Sequence, residues 1–202
     1  GHHSERGNGV LYVFALVGRG PHKTEVAEIP TSEALLVADR IISIVGQQSV
    51  PPTLAPIKVP KLVASVDAAA GVGVEVDGHP VGVTQTITDV TQMAIGQAQA
   101  IHDQLLGRAV ARRVLKKGMI YGAKEAAGIP KNSLVGFGID VAGVAYEAVE
   151  HADTRCWSLL PSKIQVLRVE LPAGRHAVKL RPVDAHGRPS GASVAQNVEV
   201  ID

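Results

Sequence analysis

The sequence predicts an α+β chain that is mainly β: a β-sandwich interrupted by an inserted two-helix hairpin. Three observations predict it. Val72, Val74 and Val76 alternate with Gly73 and Glu75 before Asp77-Gly78 turns the chain into Val81 and Val83, the pattern of a half-buried β-hairpin. The C-terminal segment repeats that logic from Ile164 onward. Between the two, residues 88–160 show no strong strand alternation and long stretches of good helix formers. Composition agrees: of 202 residues 46% are hydrophobic and only 3% aromatic, which favours strands and close backbone packing over aromatic-lined pockets.

Residues 10–17 form a continuous apolar run closed by Gly18-Arg19-Gly20-Pro21, which reads as a buried strand ending in a turn. Thr31-Ser32-Glu33 supplies an N-cap ahead of Leu35, Ala38, Ile41, Ile42 and Val45, a helical spacing that stops at Gly46. Residues 50–61 hold Pro51, Pro52, Pro56 and Pro60; proline cannot donate to a ladder, so an extended edge segment or a linker is expected. After the valine hairpin, a first helix is expected over 89–127, with a break near Gly107, and a second over 133–154, the loop Gly128-Ile129-Pro130-Lys131-Asn132 lying between them.

The C-terminal sheet is expected to use 164–171, the turn Pro172-Ala173-Gly174, 177–183, and a strand with Val194, Val198 and Val200 on one face. The apolar phase slips between Val166 and Leu167, where a β-bulge would re-aim the face. Residues 1–87 are thus expected as the N-terminal half of the sandwich with one short helix, 88–160 as the helical hairpin, and 161–202 as the C-terminal half. The assembled sandwich is expected to look immunoglobulin-like or transthyretin-like.

The formal net charge of +1 gives no overall reason to expect nucleic acid as a partner, so an anionic partner needs a local patch. The single cysteine, Cys156, excludes an internal disulfide framework and leaves the redox compartment open. No apolar run reaches the roughly 18 residues of a spanning helix. Gly1-His2-His3 reads as a tag remnant or a processed start.

Arg108, Arg112 and Lys116 recur every fourth residue with Arg113 and Lys117 beside them, gathering positive charge on one helix surface. Like charges at that spacing disfavour a helix unless something negative meets them. An anionic partner would do so, and so would Glu147, Glu150 and Asp153 from the second helix. Gly118, Gly122 and Ala126 form a small-residue stripe, and Gly136, Gly138, Ala142, Gly143 and Ala145 crowd the second helix. Interior helix glycine costs about 1 kcal/mol relative to alanine, so close packing is expected, either within the hairpin or between copies of the chain.

His151 and Cys156 stand close in sequence and admit a nucleophile reading, but no oxyanion loop adjoins them, and a lone thiol beside Trp157 and two leucines is expected as core. The eight histidines are scattered without ligand spacing, so no metal is inferred. The glycine doublets precede strands rather than opening a helix, so no nucleotide or other cofactor is inferred.

Val74-Glu-Val-Asp-Gly-His-Pro-Val-Gly-Val-Thr84 together with Leu171-Pro-Ala-Gly-Arg-His-Ala-Val-Lys-Leu180 resembles the two halves of a PEGA-type surface β-domain, separated here by the helical region. Gly9-Val10-Leu11-Tyr12-Val13, Pro30-Thr-Ser-Glu-Ala-Leu-Leu-Val-Ala-Asp-Arg40, Arg108-Ala-Val-Ala-Arg-Arg-Val-Leu-Lys-Lys117 and Ala152-Asp-Thr-Arg-Cys-Trp-Ser-Leu-Leu-Pro161 together resemble the C-terminal part of a bacterial lipoprotein-like family of unknown function. Its members carry an N-terminal tetratricopeptide-like region. The resemblance implies a periplasmic or cell-envelope location, on the outer-membrane side, and no catalytic residues. The expected function is therefore structural or scaffolding. The domain would bind itself or another envelope protein through the hairpin residues Gly118, Gly122, Ala126, Gly138 and Ala142. The alternative is an anionic envelope surface bound through Arg108, Arg112, Arg113, Lys116 and Lys117.

Overall fold

The structure, a computed structural model, describes residues 7–44, 56–126 and 151–201, without the side chains of residues 117 and 119–126. It is mainly β, with three antiparallel sheets and a few helices. In chain order the elements are β1 (Asn8–Val17), β2 (His22–Glu28), α1 (Ser32–Ile44), β3 (Ile57–Val63), β4 (Gly71–Val76), β5 (His79–Val83), β6 (Gln85–Asp89), α2 (Val90–Ala100), α3 (His102–Ala126), β7 (Lys163–Pro172), β8 (Gly174–Val183) and β9 (Val194–Val200). They group into two compact units, one of Gly1–His22, Val63–Ile95 and Cys156–Asp202, the other of Lys23–Leu62 and Gly96–Arg155.

The first unit holds two sheets, ordered β1-β7-β6 and β5-β4-β8-β9. One apolar cluster joins them: Val13 and Leu171 from the first sheet bury against Val74, Val76, Val178 and Val200 from the second. The valine hairpin forms as its turn dictates. Asp77 and Gly78 take φ of 52° and 81°, the left-handed pair that a two-residue turn with the twist of its strands requires. The two valine-rich segments far apart in sequence then pair directly, Val74 opposite Leu180 and Val76 opposite Val178.

Two strand expectations are corrected here. No bulge interrupts β7 at Val166/Leu167, because β1 and β7 pair in unbroken register from Asn8↔Pro172 to Val17↔Lys163. The apparent phase slip arises because the inward position before Leu167 is polar: Gln165 is only 2% exposed. Its amide oxygen accepts from Thr84 Oγ1 at 2.6 Å, and its nitrogen donates to Ala70 O at 2.8 Å and Thr86 Oγ1 at 3.1 Å. A fully bonded amide thus occupies a core position that periodicity assigns to an apolar side chain. The register shift of this sheet falls instead between Thr86 and Thr88 of β6. Second, β1 is not buried on both faces. Val13 and Val17 point into the core, while Tyr12, Phe14 and Leu16 are 54%, 68% and 73% exposed.

The second unit is built from α1, α3 and the two-stranded sheet β2-β3. Thr31 caps α1 as its sequence predicts, its Oγ1 accepting from Ala34 N at 3.1 Å. The same hydroxyl donates to Asp103 Oδ1 at 2.7 Å, and His102 Nε2 meets Glu28 Oε2 at 2.8 Å, so both partners of the first turn of α3 come from around α1. Ala34, Ala38 and Ile42 of α1 bury against Leu106, Val110 and Ala111 of α3 and Ile57 and Val59 of β3. β3 realises the extended-edge reading of the proline-rich segment, with Pro60 in a strand that has one partner.

Residues 23–62 therefore group with the helical region, not with the N-terminal half of a sandwich. The apolar stripe of α1 finds its complement on α3 and β3. The helical break lies at Ile101, between α2 and α3, and not at Gly107. Gly107 sits inside α3 because α1 crosses there: a Cβ on it would lie 2.7 Å from both Ala34 O and Val37 Cβ. The expected second helix over 133–154 falls, up to residue 150, outside the described residues, while 151–154 have no helical structure. β2 and β6 were not expected: the apolar content of His22–Glu28 is too sparse to show a period, and β6 ends where α2 begins.

Candidate functional site

The basic run of α3 lies on a helix whose other face, Leu106, Val110 and Ala111, is committed to the core of the second unit. Helical geometry therefore turns Arg108, Arg112 and Lys116 away from that face, while Arg113, seven residues after Leu106, stands at its edge. Arg112 and Arg113 reach the lining of a cavity of about 530 Å³, together with Leu105 and Ala109 from α3, Ala27 from β2, Ile57, Lys58, Val59 and Pro60 from β3, and His151, Ala152 and Asp153. Arg108 is exposed on α3 outside that lining, and Lys116 is half-buried. The side chain of Lys117 lies outside the description. The structure thus brings two of the five expected cations to one concave site and adds Lys58 and His151, which sequence spacing did not connect with them.

The carboxylates around this cavity are engaged. Glu25 accepts from Ala152 N at 2.6 Å, meets His151 Nδ1 at 3.3 Å and Lys58 Nζ at 3.3 Å. The Ala152 amide foremost, then His151 and Lys58, hold its carboxyl below the usual range. Asp153 accepts a fork of two hydrogen bonds from the Arg155 guanidinium, both at 2.9 Å, and one from the Arg155 backbone at 3.1 Å. That grip holds Asp153 well below the ordinary carboxylate range. Asp153 therefore pairs with its neighbour Arg155, not with the α3 cluster it was expected to neutralise. Glu147 and Glu150 lie outside the described residues. Arg113 donates to Pro56 O at 3.3 Å, while Arg108 and Arg112 make no ion pair among the described residues.

Of the small-residue stripe, Gly118, Gly122 and Ala126 all lie within α3, while Gly138 and Ala142 lie outside the described residues. Cys156 is a free, exposed thiol, and Trp157 beside it is 72% exposed. Residues 151–157 carry no regular structure, so the thiol expected in the core has no element to bury it. The Nδ1 of His151 faces the Glu25 carboxylate. No group of histidine, cysteine and carboxylate side chains suited to a metal occurs among the described residues. No described helix is long and apolar enough to cross a membrane.

A second surface stands on the first unit. Residues paired across an antiparallel ladder share a face, so Phe14 with Val166 and Leu16 with Ile164 make one outward apolar strip on β1 and β7. Tyr12 stacks on Phe14 with ring centroids 6.3 Å apart, and Ile87, at the register shift of β6, is 57% exposed. Arg168, opposite Tyr12, and Glu170 close the strip with a weak ion pair at 4.0 Å. The period of two along the run from Val10 to Val17 puts Tyr12, Phe14 and Leu16 on one face, but the run is apolar on both faces and does not tell which of them the core covers.

No protein-family model matches the chain, and neither curated proteins nor solved structures yield a match.

Proposed function

We propose that the chain is a non-catalytic binding domain of the bacterial cell envelope that holds another protein, or a second copy of itself, on the outward face of the β1-β7-β6 sheet. The observation that carries this is the strip of Tyr12, Phe14 and Leu16, large apolar side chains left exposed on a sheet beside the half-buried Ile164 and Val166, in a chain with few aromatics to spare. Contiguous exposed apolar patches of that kind mark interaction surfaces, and aromatic side chains are the usual anchors. The immunoglobulin-like or transthyretin-like description of the paired sheets, and the envelope location, rest on the strand pattern and on the resemblance of the motifs quoted above.

Sedimentation of the purified chain, and capture from an envelope extract, each run with the wild type and with Phe14→Glu, test the reading. Phe14 is exposed, so the variant should melt like the wild type while losing either the higher mass or the captured partner. Identical masses and identical captured proteins for both chains would remove the sheet face from consideration.

A second reading is favoured by the placement of Arg112 and Arg113 on the cavity lining: recognition of an anionic envelope component by the basic face of α3. Its mark is binding to anionic vesicles that weakens with salt and is lost in Arg108→Glu/Arg112→Glu.

A further inference from the structure

We propose that the cavity lined by β3, α3 and residues 151–153 is a binding site for an anionic amphiphile, its carboxylate or phosphate head held by the cations of the lining and its apolar body laid against β3 and α3. The inference rests on the anionic reading of α3 and sharpens it from a surface to a site of defined chemistry.

The lining is of two kinds. Ala27, Ile57, Val59, Leu105 and Ala109 present hydrocarbon, while Lys58, Arg112, Arg113 and His151 present nitrogen donors. A ligand that is only charged leaves the hydrocarbon wet, and one that is only apolar leaves the Arg112 guanidinium without an anionic partner; a molecule with one anionic head and an apolar body satisfies both. At about 530 Å³ the cavity is of a size that encloses such a molecule. Ligand sites of this class run from about 300 to about 1,000 Å³.

Charge selects the sign of the head. Asp153 is the carboxylate of the lining and Glu25 adjoins it, and both are occupied, by Arg155 and by Ala152 N, His151 and Lys58 respectively. Arg112 makes no ion pair among the described residues and is exposed at the cavity, so its guanidinium can close on an oxyanion in the two-pronged geometry that arginine favours. A cationic head finds neither a vacant carboxylate here nor a histidine–carboxylate cluster elsewhere among the described residues.

Titration calorimetry on the whole chain decides the matter, with decyl phosphate, hexyl phosphate, inorganic phosphate and the uncharged decyl maltoside as probes. Decyl phosphate should bind once per chain and more tightly than hexyl phosphate, since each buried methylene adds about three- to fourfold in affinity. Arg112→Glu should weaken it by about tenfold or more, the loss expected when a charge-assisted contact is removed. Ala109→Trp, which fills the cavity from α3, should abolish the gain from chain length while leaving inorganic phosphate binding as it was. Ala27→Trp does the same from β2 and serves if the α3 variant does not fold. If hexyl and decyl phosphate bind alike and both respond to Arg112→Glu, the amphiphile site is refuted and the anionic reading of α3 survives. If decyl maltoside binds as well as decyl phosphate, the head carries no recognition and the proposal is wrong. If no phosphate binds at all, both the site and the reading beneath it fall.

Discussion

The imidazole of His176 faces an acceptor at each ring nitrogen: Asp77 Oδ2 lies 2.7 Å from Nδ1 and Pro172 O lies 2.8 Å from Nε2. Neither partner can donate, so the arrangement suits a ring that carries both protons. The Asp77 carboxylate first, then the Pro172 carbonyl, raise the pKa of His176 above its ordinary value, and His176 in turn lowers that of Asp77. A raised histidine value means stability that is complete below the unfolded value and is lost as pH rises through the folded one. The depressed aspartate works in the other direction, its share being lost as pH falls through its own folded value. The clamp is therefore fully made from about pH 4 to about pH 6.5 and opens on either side. Urea midpoints across pH should fall for the wild type above that window, and His176→Gln should flatten the alkaline fall. An unchanged profile in the variant would show that the clamp does not couple to folding.

At the same scale, the exposed Cys156 should react with a thiol reagent at a rate that denaturant barely changes. Gln165→Leu should cost about 1–3 kcal/mol in equilibrium unfolding, because it strands the buried Thr84 hydroxyl and the Ala70 carbonyl although it adds apolar area.

At the scale of the element, two helical glycines separate propensity from packing. Gly96 in α2 has open space around it, so Gly96→Ala should stabilise by about 0.5–1 kcal/mol. Gly107 in α3 faces Ala34 O and Val37 Cβ, each at 2.7 Å from the position of an added methyl. Overpacking at such a site costs about 1–3 kcal/mol and outweighs the propensity gain, so Gly107→Ala should destabilise. Thermal or denaturant melts of the pair read the opposite signs. Equal stabilisation by both would mean that α1 can move away from α3.

The whole molecule distributes its elements without regard to chain order. β1 finds its partner in β7 and α1 finds its own in α3, so each unit closes only when distant segments meet. A fragment of residues 1–87 should consequently lack stable structure by circular dichroism and amide exchange, although it contains the valine hairpin, because an isolated hairpin is at best marginal in water. A cooperatively folded fragment would show that β1, α1 and the hairpin make a core of their own.

What was legible in the sequence is what short-range forces decide. The Asp77-Gly78 turn, the Thr31 cap and the alternation of β4, β8 and β9 follow from backbone sterics, local hydrogen bonds and a period of two, all spelled out within a few residues. Three things were left to tertiary packing: that α1 belongs with α3, that Tyr12, Phe14 and Leu16 face outward, and that Lys58 and His151 stand with Arg112 and Arg113 around one cavity. Periodicity says that a face is apolar and not which distant face will cover it. Gln165 shows the same limit from inside the core, since a buried polar side chain is admissible only where partners from other strands arrive to bond it.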